Sequence, residues 1–449
     1  MQQQRSNDQS KNYPNNSHNK NQHSRKKIVQ KTPFFYGWII VIIGAWAVFL
    51  SGPGQTYSVS IFIDAYVEEF GWSRSLISTL YSAATMASGI VMIFMGKLID
   101  RVGQRWMSVF AGIMLAVACF FNSLILGPFM LLIGFFLIRL FGQGLMELVP
   151  NTLIPQWFVR KRGRAFAFME VGGFLSSAAL PLVNVWLIHQ YGWSGAWQVW
   201  AVVLLISFVP LAWIFVHNRP EDFGLLPDQK KTFGDQEHTP LEVVSQQSKT
   251  DTSFSTIEEN SWTLEQAIRS WVFWGVLFCI AVPAMANTGM TFHIVSILGG
   301  GGMTRGESAF ILSIMALIAF PISFFAGFLL ERMPLYKLFA FTFFIEATGV
   351  LVLIMADSYN MALLFGILRG VAGGFGTLCI AMIIPQYFGR AHLGSIKGIG
   401  FTSTVIASSL GPLPFGIAFD WFGGYTEILL IMLIFFLLAT VIAWINRKP

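Results

Sequence analysis

Charge is what this chain lacks. Only 12% of its 449 residues are Asp, Glu, Lys or Arg, about half the share of a water-soluble protein of that length. With so little polar surface a water-filled exterior is excluded, and lipid takes its place. Cysteine is scarce as well: Cys119, Cys279 and Cys379 all fall in apolar runs, without the spacing of a disulfide framework or a metal cluster. A GxxxxGK[ST] loop, an HExxH pair and a plausible Ser/His/Asp set are missing, so neither an ATP motor nor hydrolytic chemistry is expected, and no cofactor or metal. The glycine-rich "GGGMTRG" at Gly300 reads as a turn, since no strand precedes it.

What is present is hydrophobic length. Apolar residues make up 54% of the chain, and runs of 18 or more recur, as repeated bilayer-crossing helices require. The expected spans are 36–61, 75–96, 106–126, 128–153, 164–188, 196–216, 271–298, 308–330, 336–356, 359–384, 396–418 and 425–445. The alternation of barrel strands is absent. The expected fold class is therefore an all-α polytopic membrane protein with twelve transmembrane helices. Residues 1–35 are rich in Asn, Gln, Ser, Lys and Arg and read as a disordered basic tail. They carry no secretory signal pattern. Residues 217–270 form a polar central loop between six spans, 36–216, and six more, 271–446.

Of 29 Lys and Arg, 25 fall in the tail, the even-numbered loops and the C-terminus. Arg74 and Arg305 fall on the opposite side, and Arg139 and Arg369 inside spans. That asymmetry predicts cytoplasmic termini and a plasma (inner) membrane location. It also explains the net charge of +6 without nucleic acid as a partner. The expected partners are the lipid bilayer, a small solute and a proton, with the monomer as the functional unit.

The chain also repeats itself. "IPQWFVRKRGRAFAF" at Ile154 returns as "IPQYFGRAHLGSIKG" at Ile384, and at the same interval, to within one position, "GKLIDRVGQR" at Gly96 faces "GFLLERMPLYK" at Gly327. "LIRLFGQG" at Leu137 likewise faces "ILRGVAGG" at Ile367. Two parallel six-helix bundles related by a pseudo-two-fold axis along the membrane normal follow, with a seam that opens to either side by rocking.

These motifs resemble the major facilitator superfamily over residues 36–446. In "GKLIDRVGQR", Gly96, Asp100, Arg101, Gly103 and Arg105 match the family signature between its second and third helices. Gly96 is expected to permit close helix approach, and Asp100 and the arginines to latch neighbouring helices. Glu331 takes the Asp100 position in the second half. Within the superfamily, "WFVRKRGRAFAFMEVGG" and "FYGWIIV" resemble monocarboxylate and oxalate/formate-type carriers. The resemblance implies a secondary transporter of a small organic anion, a monocarboxylate or dicarboxylate, moved by alternating access with a proton or by exchange.

Ionisable groups at hydrocarbon depth point inward. Arg139 and Arg369, at equivalent points of the two halves and followed by glycines, are the expected anion receptors, each able to grip a carboxylate with two parallel bonds. Gln55, Tyr57, Asn287 and Thr291 are polar pocket candidates, the first and seventh helices lining the cavity by the resemblance. Glu170 is the first candidate for the coupling proton and His293 another. Glu147 is a candidate too, or a partner for Arg139, although a regular helix places it about 12 Å on and about 80° round. Glu346 is assigned to a helix interface, and Pro412 to a bend that could gate. Two other readings stay open: a proton-coupled exporter of amphipathic drugs, and a transport-inactive sensor.

Overall fold

The computed structural model describes residues 34–158, 161–223, 225, 227–228, 262–388 and 393–447. Among them, eleven helical runs are long and apolar enough to cross a bilayer. One of these, Arg164–Phe215, contains two spans, because at Gly192 the backbone folds back with φ 71° and ψ 171°, a conformation that glycine enters without a Cβ penalty. Twelve helices result. They are α1 (Gly37–Phe70), α2 (Arg74–Val102), α3 (Gln104–Asn122), α4 (Pro128–Trp157), α5 (162–191) and α6 (193–215) in the first half. The second half has α7 (Trp271–Gly300), α8 (Arg305–Arg332), α9 (Leu335–Ile354), α10 (Tyr359–Phe388), α11 (393–422) and α12 (Thr426–Ile445).

Helix α1 continues to Phe70, well past its expected end at residue 61, and is broken in the middle. The break falls on "SGPGQ": Pro53 has no amide hydrogen to donate, and its ring blocks the carbonyl four residues back. Gly52–Gly54 form one tight turn, and Gln55 is extended at φ −86° and ψ 148° before Thr56 restarts the helix. The extra length carries acids that lowered its hydropathy, but both Asp64 and Glu68 are paired, with Arg74 and Arg305 respectively. Helix α11 is likewise divided, at Gly411, with Pro412 opening its second piece.

Each half buries its own core. One core takes residues from α1 to α6 and the other residues from α7 to α12, and among the described residues they exchange one fully buried side chain each way. Phe292 of α7 packs into the first core and Ile61 of α1 into the second. These two positions are separated by the same interval as Gly96 and Gly327, so the exchange is the self-complementary contact expected of a two-fold seam.

The face that carries the two ends of the described chain, here the terminal face, is pinned by aromatic donors. Tyr36 Oη donates to the Phe215 carbonyl at 2.8 Å, Trp157 Nε1 to that of His217 at 3.0 Å, and Tyr387 Oη to that of Asn446 at 2.7 Å. A short helix, Leu264–Arg269, leads into α7 here; a capping box between Thr263 and Gln266 starts it.

Candidate functional site

The break in α1 positions the first half's polar cluster. Gly54 and Gly142 of α4 pack backbone to backbone, leaving no room for a Cβ on either. This approach brings Arg139 Nη1 within 3.1 Å of the Gly54 carbonyl that the broken helix leaves free. The guanidinium lies 5.2 Å from the centre of the Tyr81 ring, over its face. Tyr81 in turn meets Phe292 of the other half at 4.4 Å, so Arg139 stands one ring away from the seam. It is 4% exposed, its Nε has no partner, and among the described residues no carboxylate lies within ion-pair distance. An arginine at mid-bilayer depth costs about 2.5–3.5 kcal/mol even on insertion scales that allow for relaxation.

The residues around it extend the cluster. Gln55 Nε2 donates to Glu147 Oε1 at 2.5 Å and to Ser51 Oγ at 3.1 Å. The charged neighbours of Glu147 are Glu170 and Arg139. Helix geometry explains how Glu147 gets there. Residues Arg139–Leu145 form a π-helical segment, and such a turn takes up one extra residue, which turns the helix back by about 100°. Glu147 thereby moves to within about 20° of the Arg139 face. Tyr57 Oη donates to Ser176 Oγ at 2.8 Å, and Ser176 donates to the Phe49 carbonyl at 2.7 Å, tying both pieces of α1 to α5. Glu170 is exposed on α5.

The second half holds its arginine differently. Arg369 Nη1 donates to both carboxylate oxygens of Glu346, at 2.6 Å each. Glu346 also accepts from the Asn287 side chain of α7. Glu346 is 3% and Arg369 9% exposed, so this is a buried ion pair joining α7, α9 and α10. The Asn287 Oδ1 beside it is buried without a partner. Thr291 lies one turn further along α7, half-buried.

His293 belongs to neither cluster. It is buried at the end of the seam away from the terminal face, and it joins four elements there. The Tyr425 hydroxyl donates to Nδ1 at 3.2 Å, while Nε2–H is shared between the Pro412 carbonyl at 3.1 Å and Ser78 Oγ at 2.9 Å. This tautomer is the one that gives every partner a complementary role. Ser78 is on α2, so the histidine ties the two halves together. Ser75 N–H adds a bond to Asp420 at 3.1 Å, Arg305 pairs with Glu68, and Gly416 packs directly on α2. Among the described residues, all hydrogen bonds between the halves lie at this distal end, which is therefore closed.

The sequence profile of the Major Facilitator Superfamily matches residues 41–345 and 297–449. The chain belongs to the Major Facilitator Superfamily. It is 25% identical over 210 residues to the chloroplastic sodium-dependent phosphate transport protein 1 of Arabidopsis thaliana, covering 44% of this chain and 39% of that protein. It is 28% identical over 166 residues to a probable L-galactonate transporter of Escherichia coli K12, covering 35% and 34%. The matches thus span well under two thirds of these relatives. A bacterial homologue of the human lysosomal transporter Spinster, solved inward-facing and unoccupied, superposes with a TM-score of 0.65 at 14% identity, over 92% of this chain and 97% of that one. That likeness establishes the major facilitator fold.

Set against that fold, the expected site residues divide. Arg139, Gln55, Glu147, Glu170 and Tyr57 gather in the first half, and Arg369 and Asn287 in the second with Glu346. The expectation that Gly96 permits close helix approach is corrected: a Cβ there would meet open space, with no neighbouring helix in contact with it. The expected role does fit Gly54, Gly142 and Gly172, the last packed on the Ala45 carbonyl. Arg105 Nη2 donates to the Trp213 carbonyl at 2.7 Å, and the Arg105 amide donates to Asn218 Oδ1 at 2.9 Å, holding α3 to the end of α6. Arg101 is exposed. The side chains of Asp100 and Glu331 lie outside those described. Sequence reasoning missed Ser51, Ser176, Ser78 and Tyr425, all ordinary polar residues until their partners are known.

Proposed function

We propose that this chain is a secondary active transporter that moves a small organic anion, a mono- or dicarboxylate, across the plasma membrane by alternating access. The single observation that carries the reading is Arg139: buried, beside the seam, and with no carboxylate within ion-pair distance among the described residues. A substrate carboxylate supplies the missing partner and takes two parallel bonds from the guanidinium. Gln55 and Tyr57, held at the break in α1, line the same place, as expected where a discontinuous helix meets a substrate at the midplane.

Glu147 and Glu170 are the proton carriers in this proposal. Two carboxylates near one guanidinium leave the cluster with excess negative charge, and a proton removes it before an anion enters. A monoanion that crosses with one proton also avoids the membrane-potential term of about 2.3 kcal/mol per charge per 100 mV. Exchange for another anion achieves the same balance. The "WFVRKRGRAFAFMEVGG" stretch supports placement in the monocarboxylate and oxalate/formate-type branch, and the Lys and Arg distribution supports cytoplasmic termini. On that orientation the closed distal end is the outer one.

One observation favours a second reading, export of amphipathic compounds. An apolar groove of about 640 Å³ lies on the flank of the first half, lined by Trp38, Ile42, Trp46, Phe168, Gly172 and Leu211. Uptake of labelled carboxylates into proteoliposomes, with the pH gradient and the potential imposed separately, discriminates. Saturable carboxylate flux driven by the pH gradient is expected. Carboxylate binding without flux would select a sensor, and drug flux without carboxylate flux the exporter.

A further inference from the structure

Resting on the anion-carrier reading, we infer that Glu346 sets the charge of the substrate: it occupies Arg369 as a resident carboxylate, so that the carrier accepts one carboxylate, at Arg139, and rejects dicarboxylates.

The two arginines are equivalent in the repeat and unequal in their company. Carried back by the interval that separates Gly327 from Gly96, Glu346 on α9 falls on Leu115 on α3. Leu115 is fully buried, and its Cδ1 is among the atoms that a Cβ on Gly142 would meet, one turn from Arg139. Where the second half has a carboxylate bound to its arginine, the first half has an isobutyl group at the matching position. Arg369 is thus paired directly with a carboxylate of the protein, and Arg139, among the described residues, is not.

The second site is closed by more than charge. The fork of Arg369 Nη1 onto both oxygens of Glu346 at 2.6 Å and the additional bond from Asn287 engage both carboxylate oxygens. The buried Asn287 Oδ1 beside the pair is itself an acceptor without a donor. A second substrate carboxylate arriving there would meet Glu346 and Asn287 Oδ1, both electron-rich, and, among the described residues, no unpaired cation. On the first-half side it would meet Glu147 and Glu170. Glu346 is therefore a specificity-determining residue that acts through Arg369.

The experiment compares butyrate with succinate, equal in carbon number, as labelled substrates and as competitors in proteoliposomes. Wild type is expected to take butyrate in preference. Glu346→Gln keeps the side chain's shape and frees Arg369; the succinate-to-butyrate ratio of kcat/KM is expected to rise at least about tenfold, since a like charge has been removed from the second subsite. The paired variant Glu346→Gln/Arg369→Gln removes both charges, so it folds without an orphaned cation. It is expected to keep butyrate uptake within about threefold of wild type and to restore rejection of succinate. The inference is overturned if wild type prefers succinate, if folded Glu346→Gln leaves the ratio unchanged, or if the folded double variant loses butyrate uptake, which would make Arg369 itself a receptor. Absence of binding or flux for every mono- and dicarboxylate in a wider panel overturns the anion reading instead, and with it the inference.

Discussion

Arg139 and Arg369 occupy the same place in two copies of one bundle, and one comparison between them explains most of the site. Arg369 has a carboxylate 2.6 Å away; Arg139 has a backbone carbonyl, the face of a tyrosine and an unpartnered Nε. One position that differs is Glu346 on α9, which the repeat sets against Leu115 on α3. A duplicated scaffold thus became asymmetric without changing its fold. In the proposed function, the copy whose charge is already satisfied contributes rigidity, and the copy left short contributes the binding site.

The comparison breaks most directly at Arg139. Arg139→Ala is expected to lower carboxylate kcat/KM by about 100-fold or more at normal surface expression, the scale for truncating one side of a buried charge pair; uptake retained at wild-type level would remove Arg139 from the site. A sharper test copies the second half into the first. Leu115→Glu supplies Arg139 with the resident carboxylate it lacks, and a loss of about 10- to 100-fold in anion affinity is expected with the fold preserved, because the new charge is paired. Unaltered affinity would mean that the arginines differ for another reason. The smallest effect belongs to the shared distal closure. Ser78→Ala removes one hydrogen bond between the halves, worth about 0.5–1.5 kcal/mol, and is expected to raise the distal-open population by about two- to tenfold. Spin labels at Trp72 and Met303 would report it as a longer distance, and an unchanged distribution would take Ser78 out of the latch.

Much of the fold was legible because membrane helices announce themselves by what they omit. The charge deficit, twelve apolar runs and the constant interval between repeated phrases led to two six-helix bundles, and both arginines stood out as charges at hydrocarbon depth. Three features escaped for physical reasons. The broken α1 was visible as "SGPGQ", which averaged hydropathy smooths over although proline and two glycines punctuate any helix. The facing of Glu147 was misjudged because the constant period of a regular helix cannot anticipate a π-helical segment. The carboxylate on Arg369 needed packing between helices to find, although setting Glu346 against Leu115 through the repeat would have shown that the halves differ there. His293, read as a proton handler near the outer end, proved to have all its ring hydrogen-bonding positions engaged by Ser78, Pro412 and Tyr425.

The turn at Gly192 has a mechanical side. Helices α5 and α6 meet there with no linker between them, and Ser194 Oγ is fastened to the Ser123 carbonyl at 2.7 Å. Helix α5 faces the partner bundle, where Phe174 meets Phe320 at 4.9 Å, whereas α6 lies toward the lipid. A hairpin with no slack acts as a lever, coupling any tilt of the arm at the partner bundle to the arm that the membrane surrounds.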